Sequence, residues 1–293
     1  MSTLWVLGNS FSFQRQDSKD YTWIKQIADS LNFDLVNLSQ VGASLDHIFE
    51  TFNNQRKCIQ LSDIVVITFT DIDRRWLFRD QPTDGVWRHI DKEHPHFWIW
   101  ENDELVQITR DEPTIDAINL YLDHLNNIAA YDAYYKNFLH NLNYFAKNVH
   151  TIILPCFEGV SNYLNDNKSL FPNLHIANKS IMTLSRNEFK DNEFYYSGIM
   201  RFNPDPRPNH LVYSNHVIMK DKIINNIKKK EPLFFNTGFL ENFLTCDDLR
   251  DQNFCDKEMF AFELAKFYAK FDPYWIHISR TGPESHASVK LPR

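Results

Sequence analysis

The chain has 293 residues, 43% of them hydrophobic and 24% charged, an ordinary globular composition for one large domain or one domain with insertions. Its formal charge of −7 argues against a general nucleic-acid binder, because neutralising phosphates needs a basic face. With 24 Phe, 12 Tyr and 7 Trp against only 7 Gly, a bulky aromatic core is expected, together with surfaces on which sugars or bases can stack.

Four cysteines, Cys58, Cys156, Cys246 and Cys255, form no C-x-x-C pair and read as reduced thiols. No basic leader precedes the first apolar run, and no run approaches the roughly 18–20 residues of a membrane span. A cytoplasmic protein without membrane contact is expected.

Leu4 to Leu7 is a short apolar run of the kind buried on both faces of a sheet, and it stops at Gly8-Asn9-Ser10. Tyr21, Trp23, Ile24, Ile27, Ala28 and Leu31 recur at helical spacing. A second strand over 33–38 runs into Ser39 to Ser44, a turn containing Gly42, and Ser44 is placed to cap a helix over Leu45 to Phe52. Ser62 to Thr70 is the clearest strand of the chain. This β-α-β-α-β alternation implies parallel strands joined by right-handed crossovers.

Residues 71–112 break the rhythm with four Trp among charges and histidines. An insertion this aromatic at a strand's carboxyl end suits either a substrate wall or a satellite packing cluster. His89, His94 and His96 match no metal-ligand spacing, so no metal is expected. Residues 115–149 read as helix broken near 129–132, followed by a strand over 151–157 and an irregular stretch over 160–200 with short helical pieces. Asn203 to His210 carries three prolines in five residues and is a rigid loop before a helix over 212–227, whose end is closed by Lys228-Lys229-Lys230. A tail over 231–293 holds one convincing helix, Lys257 to Phe271, and a frayed end from Ser279.

A strand ending in Gly-x-Ser points a hydroxyl out of the carboxyl edge of a sheet, where open α/β folds bind their ligands. Taken alone, it also suits a plain turn in which Gly allows the bend and Ser caps the chain. Ester hydrolysis requires a nucleophile, a base touching it, a group orienting the base, and donors for the oxyanion. Ser10, Gly42, Thr70, Asp71, Asp73 and Arg74 follow the strands, and Asp205 and His210 sit in the proline-stiffened loop. No Gly-rich phosphate loop is present, which argues against nucleotide binding.

Over roughly residues 3–228 the chain resembles the SGNH (GDSL-type) hydrolases, esterases and deacetylases of flavodoxin-like three-layer α/β/α fold. Gly8-Asn9-Ser10 with Phe11-Ser12 resembles that family's nucleophile block, and Asn37 to Ser44 resembles its second block with the Gly. His210 and His216 keep the six-residue spacing of its last block, and Arg207-Pro208-Asn209-His210 is similar to blocks of phage members.

The resemblance implies a mainly parallel sheet in a domain over 1–230, with the insertion at 71–112 and a helical extension over 231–293. It implies Ser10 as nucleophile, His210 as base, with His216 a packing or supporting residue, and Asp205 orienting His210. The backbone of Ser10 and Gly42 would hold the oxyanion, with Thr70, Asp73 and Arg74 at the substrate, and no cofactor would be needed. The implied substrate is an O-acetyl or similar short acyl ester of a carbohydrate, or a small ester. The extension is left to make an oligomer or an assembly contact, and the phage-like block leans towards a phage origin.

Three departures stand against the family pattern. Asn9 replaces its Asp, Thr70 to Arg74 lack its side-chain amide donor, and Asp205 lies five residues before His210 with Arg207 where the Asp is expected. A carboxylate elsewhere or a backbone carbonyl is the alternative partner for His210. An inactive binding protein of this fold, and an acyltransferase using the same residues, are the alternative functions.

Overall fold

The structure is a computed structural model and describes residues 2–14, 22–40, 43–70, 96–101, 104–109, 120, 128–188, 211 and 213–242. Its framework is a five-stranded parallel sheet of β1 (Thr3–Leu7), β2 (Asp34–Asn37), β3 (Ile64–Phe69), β6 (His150–Pro155) and β7 (His175–Ile176), in the order β2-β1-β3-β6-β7. Counting only the sheet's own strands, that order is 2-1-3-4-5, the order of flavodoxin-like α/β folds. The α/β class read from the alternating pattern is therefore the class observed.

The central strands are apolar throughout because both of their faces are buried. Leu4, Val6, Val66, Ile152 and Leu154 line one face and Leu7, Val65, Ile67, Phe69 and Ile153 the other, all fully buried. The second set shares a core with α2 (Leu45–Gln55), α3 (Ile128–Phe145) and α4 (Glu158–Asp166). Aromatic rings fill it: Phe138 of α3 meets Phe49 at 4.5 Å between centroids and stacks on Phe69 at 6.1 Å, and Phe52 meets Phe145 edge-on at 5.1 Å. Among the described residues the aromatic rings thus serve packing.

The chain divides into two compact units, one of residues 2–13 and 36–176, the other of the described residues of 14–35 and of 177 onward. In the second unit α1 (Trp23–Leu31) packs on α6 (Tyr213–Lys229), and α5 (Ile181–Asn187) begins at Ser180, whose hydroxyl accepts from the Thr183 N–H at 3.0 Å. Residues 231–242 are tied down there by side-chain amides. Asn178 accepts from the Phe235 N–H at 2.7 Å, Asn226 donates to the Glu231 carbonyl at 2.6 Å, and Asn215 bonds both the N–H and the carbonyl of Leu240.

Several local expectations change. The expected break near residues 129–132 is absent, since α3 runs unbroken from Ile128 to Phe145. Alanines are the best helix formers there, and Asp132 pairs with Lys136 one turn later at 2.7 Å. Within 160–188 the chain is more regular than its polarity suggested, with α4, a short 3-10 turn at Lys168–Leu170, β7 and α5. Part of the 71–112 insertion is an antiparallel hairpin of β4 (His96–Glu101) and β5 (Glu104–Thr109). The remainder of that insertion, the helix expected over 257–271 and the end from Ser279 lie outside the described residues. No helix among the described residues is long and apolar enough to cross a membrane.

One helix start carries a pH dependence. Ser44 caps α2 by accepting from the His47 N–H at 3.3 Å, and His47 itself is buried. Burial pushes its imidazole below the ordinary value, against a smaller upward pull from Glu50. The unfolded chain therefore binds a proton before the folded one does. The resulting stability is complete above the unfolded pKa of about 6.5 and is lost as pH falls through the lower folded value. Urea unfolding between pH 7 and pH 5 should show a shallower loss for His47→Gln than for the wild type; equal slopes would remove His47 as the cause.

Candidate functional site

The carboxyl end of β1 is shaped by close packing. A Cβ on Gly8 would run into the Thr68 hydroxyl, so only glycine lets the chain leave β1 against β3. Beyond it, the Asn9 carbonyl accepts from the N–H groups of Ser12 (3.0 Å) and Phe13 (2.9 Å), closing one tight turn with Ser10 at its first corner. Ser10 is half-buried, whereas Asn9, Phe11 and Ser12 on either side are buried. The turn thus presents one residue outward and fixes its neighbours inward.

Three sets of contacts do the fixing. Beneath the turn, the Asn9 N–H donates to Thr68 Oγ1 at 3.2 Å, the Thr68 and Ser12 hydroxyls share a hydrogen bond at 2.5 Å, and Ser12 Oγ donates to Ser39 Oγ at 2.8 Å. On the β2 side, the Asn37 amide donates to the Ser12 carbonyl at 2.8 Å and accepts from the Ser39 N–H at 3.0 Å, while the Gln40 N–H reaches the Gly8 carbonyl at 3.0 Å. The first and second motif blocks of the sequence are thereby hydrogen-bonded to each other. On the β6 side, Asn9 meets the buried thiol of Cys156, and the Phe11 ring packs edge-on against Phe157 at 5.7 Å.

Thr70 is the first residue past β3, at the same sheet edge as the Ser10 turn. By strand alternation its side chain lies on the Thr68 side, and it is fully buried. Among the described residues its hydroxyl has no hydrogen-bond partner, an uncommon state for a buried polar group.

His216 lies on α6 in the other unit and is buried. Its Nδ1 accepts from the Trp23 N–H at 3.4 Å. That N–H opens α1, where the N-cap residue Thr22 makes no side-chain capping bond, so His216 satisfies one of the helix's orphan donors and carries its own proton on Nε2. The imidazole is thus engaged in holding the start of α1.

Gly42, Asp73, Arg74, Asp205 and His210 lie outside the described residues. Among the described residues no group of three or more His, Cys, Asp or Glu could hold a metal. Neither a protein-family model nor a curated protein matches the chain. What the described site offers chemically is an outward serine on a rigid turn, with a partnerless buried hydroxyl at the same edge.

Sequence reasoning missed Cys156 and underrated Asn9. The only available sign was that Cys156 follows an apolar strand at the sheet edge where Ser10 also sits.

Proposed function

We propose that the chain is a serine esterase of SGNH type that removes O-acetyl or similar short acyl groups from a carbohydrate or a small ester. The observation that carries this reading is the Ser10 turn, with its outward residue held between buried neighbours at the carboxyl edge of a parallel sheet. Such rigidity serves a nucleophile, because a misplaced attacking atom loses rate steeply.

In this mechanism Ser10 Oγ attacks the acyl carbon while His210 takes its proton and then delivers it to the leaving alcohol. Asp205 holds the imidazole, and the oxyanion rests on the Ser10 and Gly42 N–H groups. A water molecule, activated by His210 in the same way, then releases the acid and restores Ser10. Asp73 and Arg74 complete the substrate side, and the aromatic insertion offers rings for a sugar to stack on. The thiols of Cys58 and Cys156, neither of them in a disulfide, support the reducing, cytoplasmic setting that belongs to this reading.

The unpartnered Thr70 hydroxyl supports a third oxyanion donor in place of the amide that the family's third block supplies. Thr70→Val keeps the volume and removes a buried hydroxyl that bonds to none of the described residues. The variant should be as stable as the wild type or slightly more so, while kcat on p-nitrophenyl acetate falls about 10²-fold. Unchanged kcat would take Thr70 out of the site.

The reading as a whole is tested by a fluorophosphonate probe followed by peptide mapping. Labelling at Ser10 is expected. A folded protein that remains unlabelled would favour the inactive binding protein, which the missing amide after β3 already motivates.

A further inference from the structure

We propose that Cys156, at the carboxyl end of β6, is a positioning residue for Ser10, acting through Asn9. This rests on the reading of Ser10 as the nucleophile and adds to it a residue 146 positions away in sequence that acts through the amide of Asn9.

The geometry is specific. The Asn9 amide donates from Nδ2 to Cys156 Sγ at 3.3 Å, and the thiol donates back to Oδ1 at 3.4 Å. Oδ1 also accepts from the Phe11 N–H at 3.0 Å, which fixes which end of the amide is oxygen. Asn9 therefore bridges across Ser10: its backbone precedes the serine, its side chain grips the N–H that follows, and the thiol locks that side chain in one rotamer. Asn9 and Cys156 are both fully buried, so no water competes for these bonds. The next residue, Phe157, holds the Phe11 ring. Two consecutive residues of β6's exit thus anchor the two residues flanking Ser10.

The arrangement also accounts for Asn at position 9. An aspartate could accept from Phe11 but would have no donor for the sulfur and would bury a charge against a thiol. Because the Phe11 N–H is already engaged inside the turn, it does not serve as an oxyanion donor. The clamp therefore assigns that N–H a structural task and leaves stabilisation of the oxyanion to other groups.

The test compares Cys156→Val, which keeps bulk and loses both bonds, with Cys156→Ser, which keeps a donor and an acceptor. Amide hydrogen exchange at Phe11 reports the clamp directly, whether or not the protein is active. Exchange there should be about tenfold faster in Cys156→Val and near the wild-type rate in Cys156→Ser. On p-nitrophenyl acetate, kcat should fall about tenfold in Cys156→Val with KM within about twofold, and Cys156→Ser should recover most of it. A purely structural cysteine would lower the melting temperature without this split and without rescue by serine. Wild-type exchange at Phe11 in Cys156→Val would overturn the proposal. A wild type whose hydrolysis is indifferent to Ser10→Ala would overturn the esterase reading instead, and exchange at Phe11 would still decide what Cys156 does.

Discussion

Replacing Ser10 with alanine is expected to bring p-nitrophenyl acetate hydrolysis down to the buffer rate, a loss of about 10³-fold or more, with the protein still folded. The two halves of that expectation have separate grounds. Ser10 is the half-buried corner of the turn, and contacts of Gly8, Asn9, Phe11 and Ser12 hold the turn in place. Truncating it removes the attacking oxygen and leaves those contacts standing. His210→Ala should lose activity to the same extent, because nucleophile and base act as one unit and their losses do not add. Hydrolysis that survives Ser10→Ala at the wild-type rate would end the esterase reading. The missing amide after β3 would then favour a binding protein.

The largest expected effect on stability is at the opposite edge of the sheet. Asp63 is buried where β3 begins, and its carboxylate accepts from the Thr3 N–H at 2.8 Å, the Trp5 indole at 3.0 Å and the Gln60 N–H at 2.9 Å. Burial alone would raise its pKa, but the donors of Gln60, Trp5 and Thr3 outweigh it and hold the carboxyl below the usual carboxylate value. Asp63→Asn should cost about 3 kcal/mol, because the two carboxylate oxygens serve different donors and an amide must turn its NH2 towards one of them. The folded pKa lies below the unfolded one, so this stabilisation is complete above about pH 4 and disappears as pH falls through the folded value. Urea unfolding at pH 7 should separate the two proteins clearly, and at pH 2.5 much less. A gap under about 0.5 kcal/mol at pH 7, or one that persists unchanged in acid, would show that the carboxylate does not tie β1 to β3.

The parts of this fold that could be read in the sequence are those written as local pattern. The apolar runs of β1, β3 and β6 announce strands buried on both faces, the Ser44 cap announces α2, and Gly8-Asn9-Ser10 announces an outward residue where a strand ends. What could not be read is long-range pairing of side chains, which leaves no period. Asn9 counted as a mild replacement until Cys156, 147 residues away, was found against it. Asp63 was one more polar residue at a strand start until it was found beneath the Trp5 indole. β7 has only two residues, too short for alternation to register. The break expected in α3 fell in a segment whose alanines and ion pair favour helix.

The way residues 231–242 are held has a consequence for how the chain can be shortened. Their attachment does not use a strand ladder that would lose stability gradually as residues are removed. It uses the separate amides of Asn178, Asn215 and Asn226, two of them buried. Ending the chain at Lys230 would remove the bonds of residues 231–242 to all three at once and uncover the sites of Leu233 and Phe235. The smallest autonomous piece of this protein therefore reaches past the last helix of its α/β framework, at least to Leu240, and a protease that cut within the strap would loosen that unit as a whole.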